Sequence, residues 1–181
     1  MKYMNSEVTM QNILIEENGI YGIDCTRAVW FTDRIHEDYH RAGIHINDAD
    51  FIIENEDKLL MVEYKNANIP GAASPGSFKP EQDKKLSITA RKFYDSLHYL
   101  KLMEKTKPVQ YIYVLEYPDG DAVTRRRLRN KLKAELAFAL QENIGNGIKL
   151  IDKVDVVSID EWNQDQDYGR YPISPIAPVG S

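Results

Sequence analysis

Hydrophobic positions recur along the chain with two different spacings, which predict helices and strands in turn. Three stretches keep the spacing of roughly 3.6 residues that is typical of a helix with one buried face, and they cover residues 24–42, 82–105 and 123–143. Short apolar runs rich in β-branched and aromatic residues, bounded by turn-forming residues, predict strands. These runs are residues 12–15, 20–23, 44–46, 50–53, 59–65, 109–115 and 154–159.

Two stretches show neither spacing and are predicted to lie outside the regular elements. Residues 66–80 hold three Pro and two Gly, which predicts a loop long enough to have a function. Residues 163–181 also hold three Pro, without periodicity, and predict an extended or disordered tail. The sequence thus predicts one domain over residues 1–162, followed by this tail.

The order of the predicted elements from residue 24 onward indicates the fold class. A helix, three strands, a helix, a strand, a helix and a strand follow one another. Two adjacent hairpin-capable strands therefore precede alternating helices and strands. This order predicts an α/β fold in which a mixed central sheet is flanked by helices.

Composition and charge exclude several classes of protein. The 181 residues include 23 Lys and Arg, 28 Asp and Glu, and a single cysteine, Cys25. One cysteine excludes an internal disulfide and the Cys-rich structural zinc motifs, and it favours a cytoplasmic location. No apolar stretch approaches the ~20 residues that a bilayer span requires. Residues 1–10 are too polar for a signal peptide, so we expect a cytoplasmic protein without a membrane partner.

The most informative polar residues stand at the ends of two predicted strands. Asp50 begins one strand and Glu63 closes the next, with the polar turn of residues 54–58 between them. In a hairpin the start of one strand lies beside the end of its neighbour, so the two carboxylates are expected to converge. Lys65 lies two residues beyond Glu63 and therefore points to the same face of its strand. Uninterrupted apolar residues before Glu63 indicate a strand buried on both faces, where a charged side chain is uncommon.

Two convergent carboxylates and a lysine suit metal-assisted hydrolysis of phosphate esters. One or two carboxylates, with water and substrate phosphate completing an octahedron, are what Mg²⁺ prefers. A metal held by Asp50 and Glu63 would lower the pKa of its bound water, and Lys65 would orient that water and stabilise developing charge. The competing interpretation is an ordinary ion pair between Glu63 and Lys65 on a solvated sheet face.

This pattern resembles that of the PD-(D/E)xK nuclease superfamily, which includes many restriction endonucleases and the archaeal Holliday-junction resolvases. Asp50, Glu63 and Lys65 match the family's acid and Glu-x-Lys positions, with Ala49 in place of the family's proline, and the element order over residues 24–115 matches the family core. The resemblance implies a restriction-endonuclease-like fold and metal-dependent cleavage of phosphodiester bonds. It makes Asp50 and Glu63 ligands of Mg²⁺ or Mn²⁺ and places Lys65 beside the attacking water.

The resemblance also implies additional residues outside the hairpin. Many family members supply a further acid from the first helix, for which Glu37 and Asp33 are equal candidates, Glu37 being the one we name as a metal ligand. Some exonuclease branches carry a Gln and a Tyr on the next helix. Tyr94 is present here, but Ala90 occupies the Gln position, which argues against that branch.

Residues 36–40 offer a rival site, because His36 and His40 satisfy the HExxH pattern of zinc hydrolases. The longer metzincin pattern fails, because His45 follows Gly43 after two residues instead of three. Charged residues between the histidines also fit poorly in a turn that metalloproteases bury. A further possibility suits both motifs: this helix face borders the carboxylate site, with Glu37 as a ligand and a histidine near the phosphate.

Basic residues indicate which partner such a site would bind. Residues 125–133 hold four Arg and two Lys and no acid, and a second basic group lies on the helix after the predicted loop, namely Lys84, Lys85, Arg91 and Lys92. Such clusters bind phosphate backbones by releasing counterions, although the first run also suits a solvated helix face. We therefore expect a nucleic acid, DNA in the first instance, bound by a monomer or a homodimer. The alternative to an active nuclease is a non-catalytic binding or assembly module of the same fold.

Overall fold

The computed structural model describes residues 10–177, which form a mixed α/β fold. The strands are β1 (Ile13–Ile15), β2 (Tyr21–Asp24), β3 (Trp30–Thr32), β4 (Phe51–Glu54), β5 (Leu59–Asn66), β6 (Val109–Glu116), β7 (Lys153–Val157) and β8 (Ile173–Pro175). The helices are α1 (Ile35–Arg41), α2 (Asp83–Leu102), α3 (Ala122–Glu135), α4 (Phe138–Ile144) and α5 (Ile159–Gln164). Short 3-10 turns lie at Met10–Asn12, Pro75–Ser77 and Tyr168–Arg170.

Five strands form the main sheet, in the order β3-β4-β5-β6-β7. The pairs β3–β4 and β4–β5 are antiparallel, whereas β5–β6 and β6–β7 are parallel. Helix α2 lies in the crossover between β5 and β6, and α3 and α4 lie in the crossover between β6 and β7. A second, antiparallel sheet has the order β1-β2-β8. The predicted α/β class, with a mixed central sheet flanked by helices, is confirmed.

Both faces of the main sheet are covered, so its central strands are apolar without alternation. Met61 and Tyr111 point to the face that α1, α2 and α3 cover. Leu60 and Ile112 point to the opposite face, which the second sheet and α5 cover. All four side chains are fully buried. This burial on two sides explains the continuous apolar run before Glu63.

The hairpin of β4 and β5 places the polar residues at its open end. Phe51 pairs with Val62, so the residue before Phe51 lies beside the residue after Val62. These two residues are Asp50 and Glu63. Opposite residues of an antiparallel pair lie on the same face of the sheet, and both carboxylates therefore project toward the face that α2 covers.

Helix α2 anchors the segment that leads into β4. Asp95 Oδ2 accepts a hydrogen bond from the backbone N–H of Asn47 at 3.0 Å, and Ser96 Oγ accepts one from the N–H of Ala49 at 2.9 Å. Ser96 is fully buried, so its bond satisfies a backbone group in the interior of the protein. Within residues 10–177, no helix, the 20-residue α2 included, is both long and apolar enough to cross a membrane.

The first predicted helix is wrong over most of its length. Of residues 24–42, only Ile35–Arg41 is helical, because the chain first adds β3 to the edge of the main sheet. The backbone N–H of Val29 donates to the carbonyl of Glu54 at 2.8 Å, which extends this pairing. Phe31 fits a helical spacing and also pairs in the strand, and tertiary pairing outweighs the local pattern.

Two other predicted elements differ from the structure. Residues 44–46 form no strand, since the N–H of Ile44 donates to the carbonyl of Tyr39 at 2.9 Å and closes the end of α1. The helix predicted over 123–143 is divided into α3 and α4, because Leu136 adopts an extended backbone with φ −99° and ψ 170°. The remaining predicted helix and strands are confirmed to within a few residues.

Residues 163–177 pack onto the domain, which corrects the prediction of an extended or disordered tail over this range. Tyr168 and Tyr171 are fully buried, and Trp162 Nε1 donates to the carbonyl of Tyr171 at 2.7 Å. Strand β8, within this segment, pairs with β2. The aromatic residues provide burial that the Pro-rich composition conceals. Residues 178–181 of the predicted tail lie outside the described range.

Candidate active site

A cavity of about 550 Å³ lies at the open end of the β4–β5 hairpin. Its walls come from the turn between β1 and β2, the segment before α1, the first turn of α1, the segment before β4, the end of β5, and α2. The charged side chains and the histidine on these walls are Glu16, Glu17, Asp33, His36, Asp48, Asp50, Glu63, Lys65 and Lys92. Acids outnumber lysines, and the cavity therefore favours a cation.

One lysine of α2 joins the two predicted carboxylates. Lys92 Nζ lies 2.6 Å from Glu63 Oε1 and 3.6 Å from Asp50 Oδ1. The other oxygen of Asp50, Oδ2, accepts a hydrogen bond from the backbone N–H of Tyr64 at 2.7 Å. The structure thus brings Asp50 and Glu63 together at one point, around a lysine that we predicted as a nucleic-acid contact.

Burial and neighbouring charges shift the pKa values of the three side chains in this cluster. Burial first, and the nearby charge of Asp50 second, raise the pKa of Glu63 to about 8. Burial also raises the pKa of Asp50. Burial lowers the pKa of Lys92, but the charges of Glu63 and Asp50 outweigh it, so that the pKa of Lys92 is raised. One ammonium stands against two carboxylates, which leaves an excess negative charge when both are ionised.

The carboxylate oxygens have capacity left for a metal ion. Glu63 Oε2 is buried and has no hydrogen-bond partner among the described residues, and a buried unpaired oxygen destabilises the fold unless another group satisfies it. Within residues 10–177, no group of three or more His, Cys, Asp or Glu side chains is arranged to hold a metal ion. Two carboxylates suffice for Mg²⁺ or Mn²⁺ when water and substrate phosphate complete the shell. The residues therefore fit a divalent cation that is shared with a substrate.

Lys65 lines the same cavity but lies apart from Glu63. Its side chain is 46% exposed, and Lys65 Nζ contacts Glu17 Oε1 at 3.4 Å. Exposed ion pairs of this kind hold a side chain only weakly. Glu63 instead pairs with Lys92, so the competing interpretation of an ordinary surface ion pair between Glu63 and Lys65 does not describe the geometry.

The structure separates the two candidate acids of the first helix. Glu37 lies outside the cavity and is exposed, with contacts to Arg34 at 3.3 Å and Arg41 at 2.8 Å. It projects away from the core because Ile35 and Tyr39, which flank it by two residues, are the buried positions of α1. The choice of Glu37 as a metal ligand is therefore corrected. Asp33 does line the cavity.

The histidines of the HExxH pattern do not share a metal-binding geometry. The rings of His36 and His40 lie against each other with centroids 4.3 Å apart, and the ring of His45 contacts that of His40 at 4.9 Å. His36 Nδ1 is paired with Asp48 Oδ1 at 3.0 Å. The glutamate of the motif, Glu37, pairs with arginines instead of facing the histidines. The helix face does border the carboxylate site, as one interpretation of the motif expected, because His36 lines its cavity.

The predicted nucleic-acid contacts occupy three different settings. Lys84 and Arg91 are exposed on α2, whereas Lys85 Nζ lies 4.6 Å from the ring centroid of Phe78. Lys92 lies in the carboxylate cluster. The basic run on α3 is also divided, into one buried arginine and several exposed basic residues.

Arg125 belongs to the structure of the domain and not to a binding surface. It is buried, and its guanidinium donates to both carboxylate oxygens of Glu161, at 2.8 and 2.9 Å. Two parallel hydrogen bonds of this kind fix the position of α5 against α3. The exposed basic residues of the run are Arg126, Arg127, Lys131 and Lys133.

Sequence reasoning missed three contributions to the site. Glu17 reaches the cavity through the β1–β2 turn, and no local pattern connects it with β5. Asp48 stands two residues before Asp50, and that spacing is the one signal that could have identified it. The contact of Lys92 with both carboxylates depends on how α2 packs across the sheet, which its helical spacing does not specify.

Comparisons of the chain with protein-family models, with curated proteins and with solved structures found no match. The function must therefore be inferred from the site. The site consists of two converging carboxylates under one lysine, a second lysine at the mouth of the cavity, and a histidine held by an acid.

Proposed function

We propose that this protein is a metal-dependent nuclease of the PD-(D/E)xK superfamily, in which Asp50 and Glu63 bind Mg²⁺ or Mn²⁺. The observation that carries the proposal is the unpartnered, buried Oε2 of Glu63 beside Asp50. A divalent cation would replace the proton that Glu63 holds below pH of about 8 and would satisfy this oxygen. When bound, it would supply an activated water and a positive charge beside the scissile phosphate.

The arrangement of the elements supports a restriction-endonuclease-like fold. The acids stand on two antiparallel strands of a mixed sheet, and α2 follows the second of these strands and packs back over it. The family resemblance of Asp50, Glu63 and Lys65 implies the same order. Because fold and motif arise from different observations, their agreement strengthens the proposal.

Four side chains of the cavity have defined tasks in the proposed hydrolysis. Glu63 Oε2 has no hydrogen-bond partner among the described residues and Asp50 Oδ1 has the longer 3.6 Å contact with Lys92, so these are the oxygens with capacity for the cation. Asp50 Oδ2 and Glu63 Oε1 already accept hydrogen bonds. Lys92 holds Glu63 in place and favours its ionised form. Lys65, at the open mouth, orients the attacking water and stabilises the charge that develops on the phosphate.

The basic surface and the homodimer also belong to this proposal. Lys84 and Arg91 are exposed on the helix that carries Lys92, and they would hold the phosphate backbone that enters the cavity. We propose DNA as the substrate, and RNA is tested beside it. A homodimer would place two such cavities on one duplex.

One observation favours the non-catalytic alternative. The ammonium of Lys92 already contacts both carboxylates, and it thereby provides part of the compensation that a metal would give. If this contact serves only to stabilise the fold, the protein is a binding or assembly module. The two functions differ in whether a metal enters the cluster.

Cleavage assays with a matched pair of variants test the proposal. The purified protein is incubated with single- and double-stranded DNA and RNA, with Mg²⁺, with Mn²⁺ and with EDTA. We expect cleavage that depends on the metal, is lost in Asp50→Asn and is retained in Glu37→Gln, whose side chain lies outside the cavity. Cleavage that persists in EDTA or in Asp50→Asn, or no cleavage of any substrate, would contradict the proposal.

A further inference from the structure

We infer that His36, oriented by Asp48, donates the proton that the leaving oxygen takes up when the phosphodiester bond is cleaved. This inference rests on the proposed nuclease function and adds a further catalytic residue from a different element, α1. Its basis is a mostly buried acid paired with an exposed imidazole on the wall of the carboxylate cavity.

Asp48 is a mostly buried carboxylate with a fixed backbone. Its side chain is 12% exposed, and the residues on both sides of it are anchored to α2 through Asp95 and Ser96. Its charge also acts on Asp50 and Glu63, whose pKa values it helps to raise. Asp48 is therefore close to the proposed metal site, with its position set by the packing of α2.

The pairing with Asp48 determines which nitrogen of His36 is available. Asp48 Oδ1 lies 3.0 Å from His36 Nδ1, and a carboxylate in that position accepts the Nδ1 proton. Nε2 is then the nitrogen left for a second partner. The side chain of His36 is 66% exposed, so Nε2 is accessible to a substrate, while the ring is supported from one side by that of His40.

The reaction needs such a donor because a sugar alkoxide is strongly basic and leaves poorly without a proton. In the proposed step, a water oxygen forms a bond to phosphorus and the bond from phosphorus to the ester oxygen breaks. The ester oxygen takes the proton of His36 Nε2, and the attacking water releases one proton to solvent. His36 regains a proton from solvent before the next turnover, so the cycle consumes one water and needs no other reactant.

A sulfur substitution in the substrate tests this role directly. Two oligonucleotides of identical sequence are compared with Mn²⁺, one with the normal bridging oxygen at the cleaved bond and one with bridging sulfur. A thiolate leaves without a proton. We expect His36→Gln to slow cleavage of the oxygen substrate by about 10² to 10⁴-fold, the usual contribution of a general acid, and to change cleavage of the sulfur substrate by at most about threefold.

Two further variants separate orientation from a general loss of structure. Asp48→Asn should slow only the oxygen substrate, by about tenfold or more, because it removes the acceptor that orients the imidazole. His98→Ala removes an exposed histidine of α2 that lies outside the cavity and should leave both substrates unaffected. Mn²⁺ affinity should be unchanged in His36→Gln and in His98→Ala.

The outcomes distinguish this inference from the proposed function. Equal losses on both substrates in His36→Gln, or no loss on either, would overturn the role of His36 and leave the nuclease proposal standing. If the wild-type protein cleaves neither substrate, both the nuclease proposal and the role of His36 fail. Selective loss on the oxygen substrate supports both.

Discussion

Two buried glutamates mark opposite ends of the β4–β5 hairpin, and their surroundings differ. Glu54 lies at the turn end, where Lys105 Nζ contacts one of its oxygens at 2.6 Å and Lys107 Nζ the other at 2.9 Å. Glu63 lies at the open end, where Lys92 contacts one oxygen, the other has no partner among the described residues, and Asp50 adds a second negative charge.

The two surroundings shift the pKa values in opposite directions. Burial raises the pKa of Glu54, but hydrogen bonds and charges from Lys105 and Lys107 outweigh it, and the net shift is downward. The pKa of Glu63 is raised to about 8 because burial and Asp50 outweigh Lys92. A carboxylate whose partners are complete stabilises the fold. A carboxylate that lines a cavity and lacks one of its partners is a candidate for binding and catalysis.

The largest expected effect is a difference in activity between the two glutamates. Glu63→Gln should lower metal-dependent cleavage by about 10³-fold or more, because it removes a charged oxygen ligand from the metal. Glu54→Gln should leave the rate constant of the folded protein unchanged. Cleavage kinetics on both variants, with circular dichroism to confirm folding, measure this difference, and equal losses would remove the distinction.

The next effect concerns Lys65, which should act on the transition state more than on metal binding. Lys65→Ala should lower cleavage by about 10² to 10³-fold, the usual size for one group that stabilises developing charge, while Mn²⁺ and nucleic-acid binding remain nearly intact. Single-turnover kinetics and calorimetry measure the two properties. The control is Lys58→Ala, at the turn end of the same hairpin, which removes a contact with Asp167 and should leave cleavage unaffected.

If the wild-type protein cleaves nothing and Lys65→Ala merely loses stability, the binding-module alternative replaces the nuclease.

A smaller effect concerns stability. Here the substitution of Glu54 should cost more free energy of unfolding than the substitution of Glu63, the reverse of their effects on cleavage. Glu54→Gln removes the negative charge that Lys105 and Lys107 share and should lower the free energy of unfolding by about 3 kcal/mol at neutral pH, as when one partner of a buried ion pair is removed. Glu63→Gln should lower it by less, because Glu63 is already incompletely paired. Urea unfolding of both variants provides the comparison, and a larger loss for Glu63→Gln would contradict it.

The pH dependence of that stability follows from the sign of each shift. The lowered pKa of Glu54 means that its contribution is present above the unfolded-state pKa and is lost as the pH falls through the folded-state value. The raised pKa of Glu63 gives a contribution that is present below the unfolded-state pKa and is lost as the pH rises through about 8. Unfolding curves of Glu54→Gln and wild type should therefore converge at acidic pH. If the difference in unfolding free energy between Glu54→Gln and wild type stays constant down to about pH 2, below the ordinary carboxylate range, this assignment is contradicted.

The smallest effect is the pH dependence of metal binding. Below pH of about 8, a metal must displace the proton that Glu63 holds, so Mn²⁺ affinity should rise by roughly tenfold per pH unit toward that value and then level off. Calorimetry in buffers of different ionisation heat would also detect the released proton. An affinity that is independent of pH would show that Glu63 is not a ligand.

The parts of the fold and site that could be predicted from sequence are those set by local pattern. The β4–β5 hairpin and the convergence of Asp50 with Glu63 follow from strand spacing across a short turn. The helix predicted over 24–42 failed because its apolar positions also suit the edge strand β3, and only pairing with β4 decides between them. The buried Tyr168 and Tyr171 were missed because Pro-rich composition conceals their packing.

The missed parts of the site come from distant segments. The positions of Lys92 and Asp48 depend on how α2 packs over the sheet and anchors the segment before β4. Glu37 and Asp33 were equal candidates in the sequence, and the structure separates them because α1 begins at Ile35, which leaves Asp33 before the helix on the cavity wall. These side chains are distant in sequence and meet only in the folded protein, and a single sequence gives only their order along the chain.

The most direct test is the location of Mn²⁺ in a crystal of the protein, determined by anomalous scattering. Metal binding by Asp50 and Glu63 predicts one peak within about 2.2 Å of carboxylate oxygens of both residues, and no peak at Glu54, whose oxygens are already paired. Absence of density between Asp50 and Glu63 at saturating Mn²⁺, with Lys92 still bridging them, would show that the cluster is a structural ion pair and would contradict the central claim.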